Sequence, residues 1–457
     1  MKRALRPDLV DAAVLEVYGL VREQAWLADR ALERVLRREK RLYAIERRAA
    51  AEAVYGMLRW EGQLRWLAGD PSLLSPPAGT ASAGRPPRAP SRAAPLDLTT
   101  IYALWLARSG TAPEAAARRL GASAKVVGSA LAGADARVAA LADPVERLAV
   151  ESSLPAWIAE LFVSELGEQE ARALTRTLNE RAPLTVRANL LRTTREGLRA
   201  RLEGEEGVGA RPTRYSPWGL VLDGHENAFQ LESFQAGLFE IQDEGSQLLA
   251  LAVGARPGWS VADTCAGAGG KSLALAAEMH GKGSLHALDV DGDRLEEAKR
   301  RARRAGVHNL RAQVIPAGAD ADAALADLAG RCERVLIDAP CSGLGTLRRK
   351  PDARWRLTPE DPARFAALQK ELVVRFAKLL APGGRLVYAT CAIGRAENEE
   401  VAEHLESACP DLAPFSMAEA LGAELAGALG AAGHLLHLLP HRHGTDGFFA
   451  AAFRRAS

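Results

Sequence analysis

The spacing of apolar and polar positions changes character twice along the chain. From Pro7 to about Val150 apolar residues recur at intervals of three and four among many alanines and arginines, which predicts an all-α region. One tract interrupts it. Ser72 to Pro95, rich in proline, alanine and serine, has too few apolar side chains to build a core and predicts a mobile surface loop inserted between helices. After Asp143-Pro144 and Leu154-Pro155 the pattern becomes mixed, with a helix over Ala156 to Glu180, a strand over Leu184 to Asn189, a helix from Thr194 to Leu202 and a strand at Trp218 to Leu222. From Phe239 onward strands and helices alternate, the pattern of a parallel sheet covered by helices. Strands are predicted at Ser260–Asp263, Ser284–Asp289, Arg311–Ile315, Arg334–Asp338 and Arg385–Thr390. Leu435–Leu439 and Phe448–Arg454 are separated by too few residues for a crossover helix and should pair antiparallel. Three domains follow: an all-α region over 1–148, a small α+β subdomain over 149–235 and an α/β domain over 236–457.

Charge adds little to this division. Lys+Arg 59 against Asp+Glu 57 leaves +2, so no global basic field marks a nucleic-acid binder, and a polyanion would meet local runs such as Arg34–Arg48, Arg294–Arg304 or Arg348–Arg356. Such runs are more often solvated helix faces. The five cysteines form no CxxC pair and no disulfide framework, which fits a reducing compartment. His434, His437, His441 and His443 have no cysteine partners nearby, so no metal site is expected. The N-terminus has basic residues but no apolar core, and no window reaches the roughly 18 apolar residues of a membrane span, so a cytoplasmic protein is expected.

The chemistry is concentrated in the last domain. Asp263 to Ser272, DTCAGAGGKS, joins a strand to an apolar helix, and its glycines allow a ligand close to the backbone near unpaired helix amides. It matches neither GxGxxG nor GxxxxGK. Asp289, at the end of the next strand and roughly twenty residues on, is where an acid reaches the ribose hydroxyls of a nucleoside. Asp291 and Asp293 are better placed to cap the following helix.

Two cysteines each follow a predicted buried strand, Cys341 in VLIDAPCSGLG and Cys391 in RLVYATCAIG. If their strands neighbour the cofactor strand, both thiols emerge on the ligand-binding rim of the sheet. Paired thiols beside a methyl donor suit methylation at carbon 5 of a pyrimidine, which becomes nucleophilic only after a thiolate adds to carbon 6. Pro340 stiffens the turn before Cys341, and Gly343 and Gly345 leave room for a flat ring. Asp338 is placed to hydrogen-bond the amino group and ring nitrogen of cytosine, whereas the carbonyl of uracil would be repelled. The attacking sulfur needs help to ionise, and Lys271 is a candidate cation. On chemistry alone either thiol is eligible to attack.

DTCAGAGGKS, ALDVDGDRL, LIDAPCSGLGTLRRKPDARWR and YATCAIGRAENEEV resemble, in order and spacing, the RsmB/NOP family of RNA (cytosine-5) methyltransferases, over about the last three-fifths of the chain. GLFEIQDEGSQL, with Gln242 and Asp243, is similar to the family's segment beside the active site, and GTDGFFAAAF to its closing strand. The resemblance implies a Rossmann-like α/β fold, a parallel sheet closed by one reversed strand, and S-adenosyl-L-methionine as cofactor. It implies Cys391 as nucleophile and Cys341 as the residue that assists product release. Cys265, Ala266, Gly267, Ala268, Gly269, Gly270 and Lys271 would line the methionine part of the donor, Asp289 would hold its ribose, and Asp338 would sit between donor and base. Two departures stand out: CAGAGGK replaces the usual CAAPGGK, and the acid at the end of the third strand has no clean counterpart, Asp320 being nearest. In the helical region, ERRAAAEAVYGMLRWEGQLRWL resembles the NusB-like domain of bacterial RsmB, which implies an RNA-binding arm with arginines near Arg37 and Arg47 on phosphate. The implied substrate is ribosomal RNA of the small subunit; the rival readings are transfer RNA and a non-catalytic RNA-binding assembly protein. Cys332 and Cys409 are expected to be packing or surface residues and Trp157, Trp218 and Trp259 core. Asn398 and Glu399 are expected either to orient the Cys391 loop or to cap a helix.

Overall fold

The computed structural model describes residues 5–74, 97–224, 227–318 and 320–457. The proline-rich tract over Ser72–Pro95 lies outside the described residues from position 75 to its end. Two compact units are present, Met1–Glu180 with Leu347–Pro359, and Arg181–Thr346 with Glu360–Ser457.

The first unit is helical. Long helices at Pro7–Glu23 and Ala44–Leu67 bury Val14, Val17, Tyr18, Val54, Met57 and Leu58 against Ile101, Tyr102 and Leu104 of Leu98–Arg108, the apolar stripe that the three- and four-residue spacing dictates. Tyr43 and Glu46 form a reciprocal cap at the start of Ala44–Leu67. Helices Ala156–Leu166 and Glu168–Leu178 also fall within this unit.

Leu347–Pro359 also falls within this unit. Read from sequence as part of the α/β domain and as a candidate phosphate-binding run, it packs among the N-terminal helices. Arg354 is fully buried, and its Nη1 donates to the carbonyls of Arg59, Ser152 and Ser153 and to Oδ1 of Asn179. Trp355 donates its indole N–H to the Leu58 carbonyl at 2.6 Å. An arginine spent on carbonyls in a core is structural, and the sequence gives no sign of it because a run of Arg and Lys reads the same whether solvated or buried. The arm arginines divide similarly: Arg37 pairs with Glu33 in solvent, while Arg47 holds the Leu42 carbonyl at 2.8 Å.

In the second unit, β1 (Leu184–Ala188), β2 (Ala210–Pro212), β3 (Gly219–Leu222) and β4 (Phe239–Ile241) form an antiparallel sheet in the order β2-β3-β1-β4. β4 lies beyond residue 235, so the chain completes the small sheet before entering the large one. The large sheet contains β5 (Ser260–Asp263), β6 (Ser284–Asp289), β7 (Leu310–Val314), β8 (Cys332–Asp338), β9 (Leu380–Thr390), β10 (Leu412–Pro414), β11 (Leu435–Leu438) and β12 (Phe448–Arg455). Its order is β10-β12-β9-β8-β5-β6-β7, with β11 also on β12. β5 to β9 pair in parallel and β12 runs antiparallel to β9, giving the Rossmann-like plan. The reversed strand does not end the sheet: β10 and β11 both pair with its outer edge. β10 escaped notice because it has three residues, one of them Pro414, which only an edge strand tolerates.

The central strands are covered on both faces. Val335 and Ile337 pack with Val373, Phe376 and Val401 on one side, while Leu336, between them, packs with Leu248, Leu275 and Val387 on the other. No helix among the described residues is long and apolar enough to cross a membrane. Cys332 and Trp218 are buried; Cys409, Trp157 and Trp259 are partly exposed, and Arg334 lies over the Trp259 ring.

Candidate active site

The order β6-β5-β8-β9 puts the carboxyl ends of four adjacent parallel strands on one rim, and every chemical motif leaves from that rim. Asp263 ends β5, Asp289 ends β6, Asp338 ends β8, and Cys391 follows β9.

The glycine-rich loop is tied to its neighbours through the backbone. The Gly267 amide donates to Asp289 Oδ2 at 2.7 Å, and the Asp291 amide donates to Asp289 Oδ1 at 2.9 Å, so Asp289 fixes the loop. Asp291 caps the next helix through the Arg294 amide, as the sequence predicts. Gly269 has φ +80°, and a Cβ there would come within 2.9 Å of the Ala298 Cβ, so this turn requires glycine. The helix after it, Gly270–Glu278, has no side-chain N-cap, which leaves its first amides toward the rim. Arg301, from the run offered as a phosphate patch, donates to the Ala268 carbonyl at 2.8 Å and pairs with buried Glu240, as does Arg304. These arginines brace the loop and the small sheet.

Asp263 is buried beneath the loop, with Oδ2 accepting from the Ser272 hydroxyl at 2.6 Å and Oδ1 without a partner among the described residues. Burial, with the charges of Asp338 and Asp289, pushes its carboxyl up to about 7. Lys271 Nζ lies 2.7 Å from Asp338 Oδ2. Burial by itself would lower the lysine, but Asp338 outweighs it and the ammonium is held above its ordinary range, with Cys391 contributing in the same direction. Lys271 therefore pairs directly with Asp338 and feels Asp263 as well, on a rim that also carries Asp289. That charge set suits a ligand bringing a positive centre, as a sulfonium does. Val290, which follows Asp289, and Val314, paired with Asp289 at the end of β7, are exposed apolar side chains. Asp320 is exposed and opens the short helix Asp320–Ala324.

The two thiols meet. Cys341 and Cys391 are 50 positions apart, and their Sγ atoms are 3.2 Å apart; the Cys391 amide also points at the Cys341 sulfur, at 3.3 Å. The hydrogen bond with Cys391, then burial, raises the Cys341 thiol well above its ordinary range. In this pair Cys341 keeps its proton. The Cys341 loop is pinned at the Gly345 amide, which donates to the Cys391 carbonyl, and at the Gly345 carbonyl, which accepts from Gly447, both at 2.8 Å. Asp243 Oδ1 accepts from the Asp446 amide at 3.1 Å and from the Gly245 amide at 2.8 Å, joining the QDEG segment to the TDGF turn. Cys265, within the glycine-rich loop, has its thiol pushed up, chiefly by burial.

Between the alternatives for Asn398, the structure selects orientation. Its side chain caps nothing; it accepts from the Thr390 hydroxyl at 2.5 Å and donates to the Ala392 carbonyl at 3.4 Å, on either side of Cys391. Glu399 faces His437, 3.5 Å away. Sequence reasoning missed Glu397, whose carboxyl accepts from the Ser342 amide at 2.7 Å; an AENEE run at a helix start gives no sign that one of its acids turns inward.

The comparisons agree with this geometry. A family model described as 16S rRNA methyltransferase RsmB/F matches residues 250–454, and one described as a RsmF/B-like ferredoxin-like domain matches 154–228. A probable ribosomal RNA small subunit methyltransferase B of Bacillus subtilis is 34% identical over 321 residues, 69% of either chain. Among solved structures, the crystal structure of PH0851 aligns over the whole of both chains with a TM-score of 0.76 at 24% identity. NSun6 from Pyrococcus horikoshii, with the S-adenosylmethionine analogue SFG, aligns over 65% of this chain and 97% of its own, with a TM-score of 0.56 at 20% identity. The chain belongs to the RsmB/F family of 16S rRNA methyltransferases, and its methyl donor is S-adenosyl-L-methionine.

Proposed function

We propose that this enzyme methylates carbon 5 of a cytosine in small-subunit ribosomal RNA through a covalent bond between Cys391 and carbon 6 of the base. The observation that carries the reading is the 3.2 Å approach of Cys341 and Cys391 on the rim that holds Lys271 and Asp338. A methyltransferase acting on a heteroatom has no use for two sulfurs in contact.

The target cytosine must leave its stack to reach these residues. Asp338 accepts from the exocyclic amino group and polarises the ring, and the Cys391 thiolate adds to carbon 6, forming a C–S bond and moving electron density to carbon 5. Lys271 places a positive charge where the thiolate forms. S-adenosyl-L-methionine supplies the electrophilic methyl group when bound, and Cys265 to Lys271 with Asp289 are the residues that hold it. Once the Cys391 sulfur is committed to the C–S bond, it no longer stabilises the proton on Cys341. Cys341 then releases its proton to solvent and its thiolate takes the carbon 5 proton; the electrons of that C–H bond form the carbon 5–carbon 6 double bond as the C–S bond breaks to return the Cys391 thiolate, so one proton leaves per methyl group transferred. The helical unit serves as an RNA-binding arm of the NusB-like kind, with Arg37 available to phosphate.

Purified protein incubated with labelled donor and small-subunit RNA tests this. Wild type should yield 5-methylcytidine, Cys391→Ala none, and Cys341→Ala a protein–RNA adduct that survives denaturing electrophoresis. Activity in Cys391→Ala, or product on transfer RNA alone, would overturn the mechanism or the substrate respectively.

A further inference from the structure

The loops bearing the two thiols converge on one dipeptide, Glu397-Asn398. Glu397 is 1% exposed. Its Oε1 accepts from the amide of Ser342, the residue after Cys341, at 2.7 Å and from Gln369 Nε2 at 3.3 Å. Gln369 also donates to the carbonyl of Pro340, the residue before Cys341, at 2.8 Å. Cys341 is therefore gripped on both flanks. The main-chain carbonyl of Glu397 accepts from the Tyr388 hydroxyl at 2.5 Å, on the strand leading to Cys391, and Asn398 brackets Cys391 through Thr390 and Ala392.

We propose that Glu397 is a positioning residue that sets the separation and aim of the two sulfurs, its carboxyl holding the Cys341 loop while its backbone and Asn398 hold the strand and loop of Cys391. The inference rests on the cytosine-5 reading above. The groups acting on the carboxyl are Ser342, Gln369 and Asp361, none of them a cation, and burial raises it above the ordinary carboxyl range. A buried carboxyl that has no cation against it among the described residues is a costly way to satisfy one backbone amide and one side-chain amide. What it provides is a rigid acceptor linking two loops that are 50 positions apart in sequence, and the reaction needs both sulfurs at one base. A displacement of about 1 Å at such a centre costs about 10²-fold in rate.

The full chain is assayed with donor and small-subunit RNA as wild type, Glu397→Ala and Glu397→Gln, together with donor binding and thermal unfolding. Glu397→Ala should lower kcat about 10²-fold while leaving KM for donor and RNA within about two-fold. Glu397→Gln keeps an acceptor for the Ser342 amide and should recover to within about five-fold of wild type. If Glu397→Ala does not fold, Gln369→Leu, which removes the donor to Pro340 and Glu397, carries the same kcat-only expectation. Unchanged kcat in a folded variant, or a parallel collapse of kcat and donor binding, would overturn the positioning role. A wild-type protein with no Cys391-dependent 5-methylcytidine would instead sink the reading beneath it.

Discussion

Gly345→Ala perturbs the thiol pair without touching either sulfur. A Cβ at Gly345 would lie 2.3 Å from the Gly447 carbonyl oxygen, 2.7 Å from its carbon and 2.8 Å from its Cα. All three are backbone atoms, so no rotamer relieves the contact, and reaching an ordinary separation near 3.4 Å requires the Cys341 loop or the Gly447 turn to move by about 1 Å. Overpacking of this kind costs about 1–3 kcal/mol. The shift also strains two 2.8 Å hydrogen bonds, Gly345 to Cys391 and Gly447 to Gly345, each worth about 1 kcal/mol. A total of about 3–5 kcal/mol corresponds to a fall in Tm on the order of 5–10 °C. Turnover should fall about 10²-fold, because the loop being displaced carries Cys341. The assay is calorimetric unfolding with steady-state methyl transfer, and Gly427→Ala, where a Cβ meets nothing within 4 Å, is the control and should match wild type. A Gly345→Ala protein with wild-type Tm and kcat would refute the close approach and the geometry built on it.

Two further predictions concern the charges beneath the donor loop. Lys271→Met removes the ammonium 2.7 Å from Asp338; with side chains 10% and 30% exposed, the loss should be about 2–3 kcal/mol in urea unfolding, below that of a fully buried pair, and an unchanged midpoint would show that the pair is not formed. Asp263 is held at about 7, above its unfolded value, so between about pH 4 and pH 7 the folded state binds more protons and this group makes stability fall as pH rises, levelling off above pH 7. Asp263→Asn should flatten that slope in Tm measured from pH 5 to 8, and an identical slope in the variant would show that another group is responsible.

The parallel core was legible because β5, β6, β8 and β9 are apolar runs ending in polar or glycine-rich turns, while their adjacency, on which the meeting of the two thiols depends, was an assumption in the sequence reading. Cys341, Cys391, Asp338, Lys271 and Asp289 come together there, although their roles are argued from chemistry. Long-range capture was not legible. Arg354 and Trp355 lie in a run that reads as solvated, yet their partners are carbonyls some 200 to 300 positions away, which no local pattern encodes. Glu397 was hidden for the same reason, since its partner Ser342 is 55 positions upstream. β2, β4 and β10 were missed as strands because three residues carry too little alternation to distinguish them from loop.

Which sulfur bonds to the base decides the account. The adduct formed by Cys341→Ala with small-subunit RNA is digested with trypsin and nuclease, and the nucleotide is located by mass spectrometry. The expected modification lies on Cys391 in the peptide Leu386–Arg395, attached to a cytosine methylated at carbon 5. An adduct on any other residue, or a methylated RNA released with no covalent species under any condition, would contradict it.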